Sequence, residues 1–242
     1  MHTLKRAAVE LAYKLGYVVK RKSAFGDNPF LDMKQFVPGD TKPLILDIGA
    51  NIGQSVTRFK ATFPSCVIHS FEPSLETFRK LSQNVSNQEG VSPWNLAVGA
   101  AVGPKTFSEN THSDMSSFLE LSSTGWGKII NKSTVDMVTI DKFMEDQKIP
   151  SVDILKSDTQ GYDFEVFKGA EQAMKNNKIG LIYFEFIFSE MYKHLPAFDE
   201  VFRYLIDRNF VLVSIYEFAH QNRVASWSDA LFVNKEYNKK SA

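Results

Sequence analysis

Apolar and polar positions along this chain alternate between two periods. Short apolar runs of strand length fall near residues 44–48, 66–71, 92–98, 152–157, 179–185, 209–216 and 228–234. Apolar residues three and four apart predict helices near 53–62, 74–86, 162–176 and 197–208. Val56, Phe59 and Phe63, for instance, share one face of the first of these. Strands separated by helices build a mostly parallel sheet with helices on both faces. The last two strands follow each other without a helix, so an antiparallel pair is expected there. The expected fold is α/β and Rossmann-like: a seven-stranded, mostly parallel sheet with one antiparallel strand near its edge.

Other segments break the alternation. Residues 1–22 read as a short amphipathic helix, expected to pack on the domain; a membrane-surface role is the lesser reading. Residues 23–42, with Gly26, Pro29, Pro38 and Gly39, read as a loop. Residues 101–140 interrupt the sheet between its third and fourth strands, with short strands expected near 105–109 and 135–140. The division is thus an N-terminal extension over 1–42, the main domain over 43–234 and a polar tail over 235–242, expected to fray.

Composition narrows the function. Lysine plus arginine equals aspartate plus glutamate at 28 each, which argues against a broad electrostatic grip on nucleic acid or anionic membrane. Cys66 is the only cysteine, so neither an internal disulfide nor a cysteine zinc site is available, and a reducing, cytoplasmic setting fits. The longest apolar run, Ile179 to Phe188, is too short to span a bilayer and contains Glu185.

The densest chemistry lies at strand ends. Leu44-Ile45-Leu46 leads to Asp47 and then to the turn Gly49-Ala50-Asn51-Ile52-Gly53. Glycines let a backbone turn sharply and approach a ligand closely, and amides at a helix start suit a carboxylate or phosphate. A nucleotide-type site is expected here, but not the dinucleotide Gly-x-Gly-x-x-Gly cradle, because Asn51 and Gln54 replace its second and third glycines. The second strand ends in Glu72-Pro73, 23 residues past Gly49, near the roughly 20 at which an acid meets ribose hydroxyls in the related motif. Pro73 is placed to sit against an adenine. Asn95 and Ala97, at the end of the third strand, are placed to border the same base. Asp158 and Glu185 end two further strands. Ligands of open α/β sheets bind outside such ends, so four acids, Asp47, Glu72, Asp158 and Glu185, converge on one crevice.

At these residues the chain resembles the FkbM-type methyltransferases, over roughly residues 25 to 234. The resemblance is carried by Asp47 through Gly53, Phe71-Glu72-Pro73, Asn95 through Gly99, Ser116-Ser117-Phe118 and, most specifically, Lys156 through Asp163 followed by Val166 to Ala170. It implies the class I methyltransferase fold, S-adenosylmethionine as methyl donor and O-methylation, commonly of hydroxyls on sugars, glycans or secondary metabolites. Many members carry glutamate where this chain has Gln160, and a glutamine cannot accept a proton as a base.

On this reading Asp47, Gly49, Ala50, Asn51, Gly53, Glu72, Pro73, Asn95, Ala97 and Asp158 surround the donor. Asp158 first and Glu185 second are candidates for removing the acceptor's proton, with His194 and His112 both weaker. Gln160, Tyr162, Ser116 and Ser117 are placed to meet the substrate. No metal is expected, since Asp158, Asp163 and Glu185 have no histidine beside them. The acceptor expected is a sugar, a glycan or a glycosylated metabolite. The alternatives are a small-molecule or lipid hydroxyl, or a module that binds the donor without turning it over. Nothing in the pattern fixes an oligomeric state.

Overall fold

The structure, a computed structural model, describes residues 2–17, 19, 25–39 and 41–241. In chain order the helices are α1 (His2–Lys14), α2 (Pro29–Phe36), α3 (Gln54–Thr62), α4 (Leu75–Val85), α5 (Ile140–Asp146), α6 (Asp163–Lys168), α7 (Glu171–Lys175), α8 (Phe198–Ile206) and α9 (Lys235–Ser241). The strands are β1 (Leu44–Ile48), β2 (Val67–Phe71), β3 (Val91–Trp94), β4 (Ala97–Val98), β5 (Gly103–Asn110), β6 (Ile129–Val138), β7 (Val152–Ser157), β8 (Ile179–Ile187), β9 (Phe210–Ile215), β10 (Ala219–Gln221) and β11 (Val224–Asn234).

Among the described residues the main sheet runs β10-β11-β8-β7-β1-β2-β3, with β9 also on β11. Strands β3, β2, β1, β7 and β8 are parallel to one another, and β11 is antiparallel to both β8 and β9. The single reversed strand of the expected fold is therefore β11. An eighth strand, β10, is added by a tight hairpin whose Asn222 and Arg223 both take positive φ, the backbone such turns require.

Each face of the sheet buries one core. Phe143, Phe164, Val166, Phe167, Val201 and Leu205 from α5, α6 and α8 pack with Leu46, Leu155 and Ile182. Met33, Val56, Phe59 and Leu81 from α2, α3 and α4 pack with Ile45, Ile154 and Leu181 on the other.

Several expectations need correction. The strand expected over 92–98 stops at Trp94, because the Asn95 amide donates to Glu72 O (2.9 Å) and Pro73 O (3.0 Å) and turns the chain. Ala97 and Val98 then join β5 and β6 in a separate three-stranded sheet. The helix expected over 162–176 is two, broken at Gly169-Ala170. The segment expected as a loop over 23–42 contains α2, whose start is capped by Asn28 accepting from the amides of Phe30 and Leu31. The polar tail forms α9, and Tyr237 Oη donates to Asp153 Oδ1 across it (2.9 Å). Of the N-terminal segment expected to pack on the domain, Val9, Leu11, Tyr13, Leu15 and Tyr17 are exposed, and the helices on both sheet faces are others. Residues 1, 18 and 20–22 of that expected helix lie outside the described residues. Among the described residues, no helix is long and apolar enough to cross a membrane.

Candidate active site

A cavity of about 650 Å³ opens at the carboxyl ends of β1, β2, β7 and β8, and residues of the 101–140 insertion wall its far side. This is where an open α/β sheet offers a ligand site.

The glycine turn is locked to the neighbouring strand end. Gly49 has a φ of +70°, and a Cβ there would lie 1.9 Å from Asp158 O, so the turn meets the exit of β7 only because this residue has no side chain. The buried Lys156 ammonium closes the same junction. It donates to Gly49 O (3.0 Å) and Ile48 O (3.3 Å) and lies 3.2 Å from Asp47 Oδ1. Burial opposes its charge, but Asp47 and Asp158 outweigh burial and hold its pKa above the ordinary value. Ser55 Oγ donates to Asp47 Oδ2 (2.5 Å), which ties α3 to the turn. The amides within the turn are engaged by the protein, whereas the first turn of α3 carries no side-chain cap. Gly49 and Ala50 donate to Phe71 O, Asn51 to Glu72 Oε2 and Gly53 to Ala50 O. Gly49, Ala50 and Asn51 line the cavity.

Glu72 is buried at the tip of β2, and its carboxylate accepts from the amides of Asn51 (3.1 Å) and Ser74 (3.0 Å). Burial pushes its pKa up to about 7, against the pull of those amides and of Lys156. It lines the cavity with Phe71, Pro73, Leu96, Ala97 and Val98. An apolar slot beside a carboxylate suits a purine and its ribose hydroxyls, so the residues present fit an adenosine.

The other side of the cavity carries an acid array. Gln160 takes a left-handed backbone (φ 54°) and donates through Nε2 to Asp158 Oδ1 (3.2 Å) and Glu185 Oε1 (3.0 Å). Its Oε1 accepts from Tyr192 Oη (3.1 Å). A glutamate here would bring a third acid between two carboxylates, whereas the amide supplies the donors both need. Burial first, and then Asp158 and Asp229, raise the Glu185 pKa well above the carboxylate range. Asp229 stands directly opposite Glu185 across the β8–β11 ladder and accepts from Tyr183 Oη (2.6 Å). Burial also raises its pKa.

Gly49, Ala50, Asn51, Glu72, Pro73, Ala97, Ser116, Asp158, Gln160 and Glu185 line the cavity, as does His112. The remaining candidates sit behind it or away from it. Asp47 is fully buried beneath the turn. Gly53 is buried against Leu81 and Val85. Asn95 braces the Glu72-Pro73 turn. Ser117 Oγ donates to Gln160 O (2.9 Å) and supports the acid loop from outside. Tyr162 is buried on Phe118, its hydroxyl accepting from Lys105 (2.6 Å). His194 is exposed in the loop after β8, outside the cavity lining. Lys156 lies inside the most specific motif, but its contacts at the glycine-turn junction have no local signal in the sequence. Arg58, Tyr183, Trp227 and Asp229 also line the cavity and carry no local motif in the sequence.

Comparison with known proteins meets this geometry. The methyltransferase FkbM domain matches residues 47–212. Hexuronic acid methyltransferase AglP of Haloferax volcanii is 24% identical over 136 residues, 55% of this chain and 52% of that protein. The 2-O-methyltransferase NoeI of Sinorhizobium fredii is 24% identical over 162 residues, 62% and 66% of the two chains. The aligned region thus spans between about half and two-thirds of those relatives. The crystal structure of methyltransferase FkbM from Methylobacillus flagellatus superposes with a TM-score of 0.50 at 13% identity, covering 86% of this chain and 48% of that one. An rRNA methylase from Streptococcus thermophilus gives 0.50 at 11% identity, covering 87% and 99%. These superpositions establish a Rossmann-like methyltransferase fold. The matched span begins at Asp47 beneath the glycine turn and runs through the acid array into β9, so it encloses most of the crevice built above: the chain belongs to the FkbM family of methyltransferases, with S-adenosylmethionine as its cofactor.

Proposed function

We propose that this protein is an O-methyltransferase whose acceptor is a hydroxyl of a sugar, within a glycan or a glycosylated metabolite. The observation that carries the reading is the Asp158–Gln160–Glu185 array, which shares one cavity with the Gly49 turn and Glu72. AglP and NoeI, by their names a hexuronic acid methyltransferase and a 2-O-methyltransferase, support the choice of a sugar hydroxyl.

When bound, S-adenosylmethionine supplies a methyl group already activated on a sulfonium. The work left to the chain is placement and proton removal. Phe71, Leu96 and Val98 would hold the adenine, Glu72 would accept from the ribose hydroxyls, and the Gly49 turn admits the donor close to the backbone. Glu185 is favoured as the proton acceptor, because burial and Asp158 lift its pKa from the usual carboxylate range toward that of a useful base. Gln160 fixes the carboxylates of Asp158 and Glu185 with one amide group, so their separation is set before an acceptor arrives.

The test is calorimetric titration with S-adenosylmethionine, followed by transfer of a deuterated methyl group to a panel of sugars read by mass spectrometry. The Glu185→Gln variant should keep donor binding and lose about 100-fold or more in transfer. Failure to bind the donor would refute the site. Binding without transfer to any sugar would refute the acceptor class. Full activity in Glu185→Gln would remove Glu185 as the base.

A further inference from the structure

The cavity extends past the reacting groups, and its outer end is built differently. Trp126 and Trp227 stand there edge to face, ring centroids 5.7 Å apart at 89°, and both line the cavity. Trp126 is 47% exposed, yet its backbone is fixed. The buried Asn110 donates from Nδ2 to Trp126 O (2.8 Å) and accepts at Oδ1 from the His112 amide (3.1 Å). The flanking glycines are required by the packing. A Cβ on Gly125 would lie 2.5 Å from Met191 O, and one on Gly127, where φ is +75°, would lie 2.0 Å from Asn110 Oδ1. Trp227 is half-buried against Ile187, Met191 and Tyr192. Two residues along the same face of β11, Asp229 turns its carboxylate to the cavity and accepts from Tyr183 Oη.

Position says what such a corner meets. Asp229 pairs with Glu185 and Trp227 with Ile187, so Trp227 lies one strand over and two residues farther out than Glu185, about 8 Å from it. That is farther than the width of the ring whose hydroxyl would face Asp158 and Glu185. Because β11 is antiparallel to β8, Trp227 also stands farther out than Asp229, toward the mouth. Indole faces receive the apolar C–H face of a pyranose, and a carboxylate accepts its hydroxyls. We infer that Trp126 and Trp227 form a subsite for the sugar ring next to the one methylated, with Asp229 at its inner edge beside Glu185, so that the true acceptor carries at least two rings. This rests on the sugar reading proposed above.

The experiment uses the full chain with S-adenosylmethionine bearing a deuterated methyl. The probes are methyl glycosides of the common hexoses, 6-deoxyhexoses and hexuronic acids, and the disaccharides that carry the same rings at their nonreducing end. The quantity read is the ratio of kcat/KM on each disaccharide to that on its single ring. In wild type this ratio should favour the disaccharide. In Trp126→Ala and Trp227→Ala it should fall about 5- to 10-fold, the size of one aromatic contact, and Trp126→Phe should restore most of it. A general folding defect lowers both rates and leaves the ratio in place. A wild type that prefers single rings, or a ratio that the tryptophan variants do not move, overturns the inference while the sugar reading stands. Donor binding with transfer to no probe overturns both.

Discussion

Lowering the pH below neutrality should weaken S-adenosylmethionine binding through Glu72. Burial raises the pKa of this carboxyl to about 7, while the amides of Ser74 and Asn51 and the charge of Lys156 hold it from rising further. If the ribose hydroxyls donate to the carboxylate, only the ionised form binds the donor fully. The apparent Kd then scales as one plus the ratio of protonated to ionised Glu72, so it rises about 10-fold from pH 8 to pH 6 and about 100-fold by pH 5, or ~2.7 kcal/mol. The sign separates this loss from unfolding. Between an unfolded value of 4.5 and a folded value of about 7, the native protein holds more protons at Glu72. Its contribution therefore favours folding at the acid end and diminishes as pH rises through that window. Calorimetry at pH 8, 7 and 6, in two buffers of different ionisation heat, reads both the Kd and the proton released, which should approach one per donor bound at pH 6. The Glu72→Gln variant should bind more weakly at pH 8 and lose the Glu72 part of the slope. Titration of the donor itself is common to both proteins and cancels in the comparison. A flat Kd in wild type, or the same slope in Glu72→Gln, would refute the ribose role.

Two further predictions concern the junction beneath the donor site. Gly49→Ala should weaken donor binding by about tenfold or more and lower Tm, because the added Cβ meets Asp158 O at 1.9 Å in a backbone conformation that costs an alanine ~1 kcal/mol or more; wild-type affinity in this variant would show that the turn and the β7 exit move independently. Lys156→Met should lower unfolding free energy in urea by about 3–5 kcal/mol, since it leaves Asp47 buried without its cation. Adding Asp47→Asn should recover part of that loss, and a loss no larger than that of a surface pair, below ~1 kcal/mol, would mean that the pair does not hold the junction.

The sequence by itself determined the elements that build the sheet and the residues that end its strands. Ile45, Ile154 and Leu181 alternate or cluster because each must be buried, and burial periodicity is local information that the chain carries in order. The Gly49 turn, Glu72 at the tip of β2 and Asp158 after β7 were legible for the same reason: each owes its place to the strand immediately before it. Where the chain departs from its local period the reading failed. Asn95 ends β3 through hydrogen bonds to the carbonyls of Glu72 and Pro73, and no pattern around Asn95 announces them. Ser117 and Tyr162 read from the sequence as pocket residues, yet their hydroxyls are engaged by Gln160 O and Lys105. Only the tertiary structure could set Asp229 against Glu185 and bring Trp227 beside Trp126. Those pairings are fixed by strand register and loop packing between segments distant in the chain, 46 residues for the hydrogen bond of Tyr183 with Asp229. The pKa values of Glu72 and Glu185 belong to the same class, because burial and neighbouring charge are properties of the packed crevice rather than of any stretch of sequence.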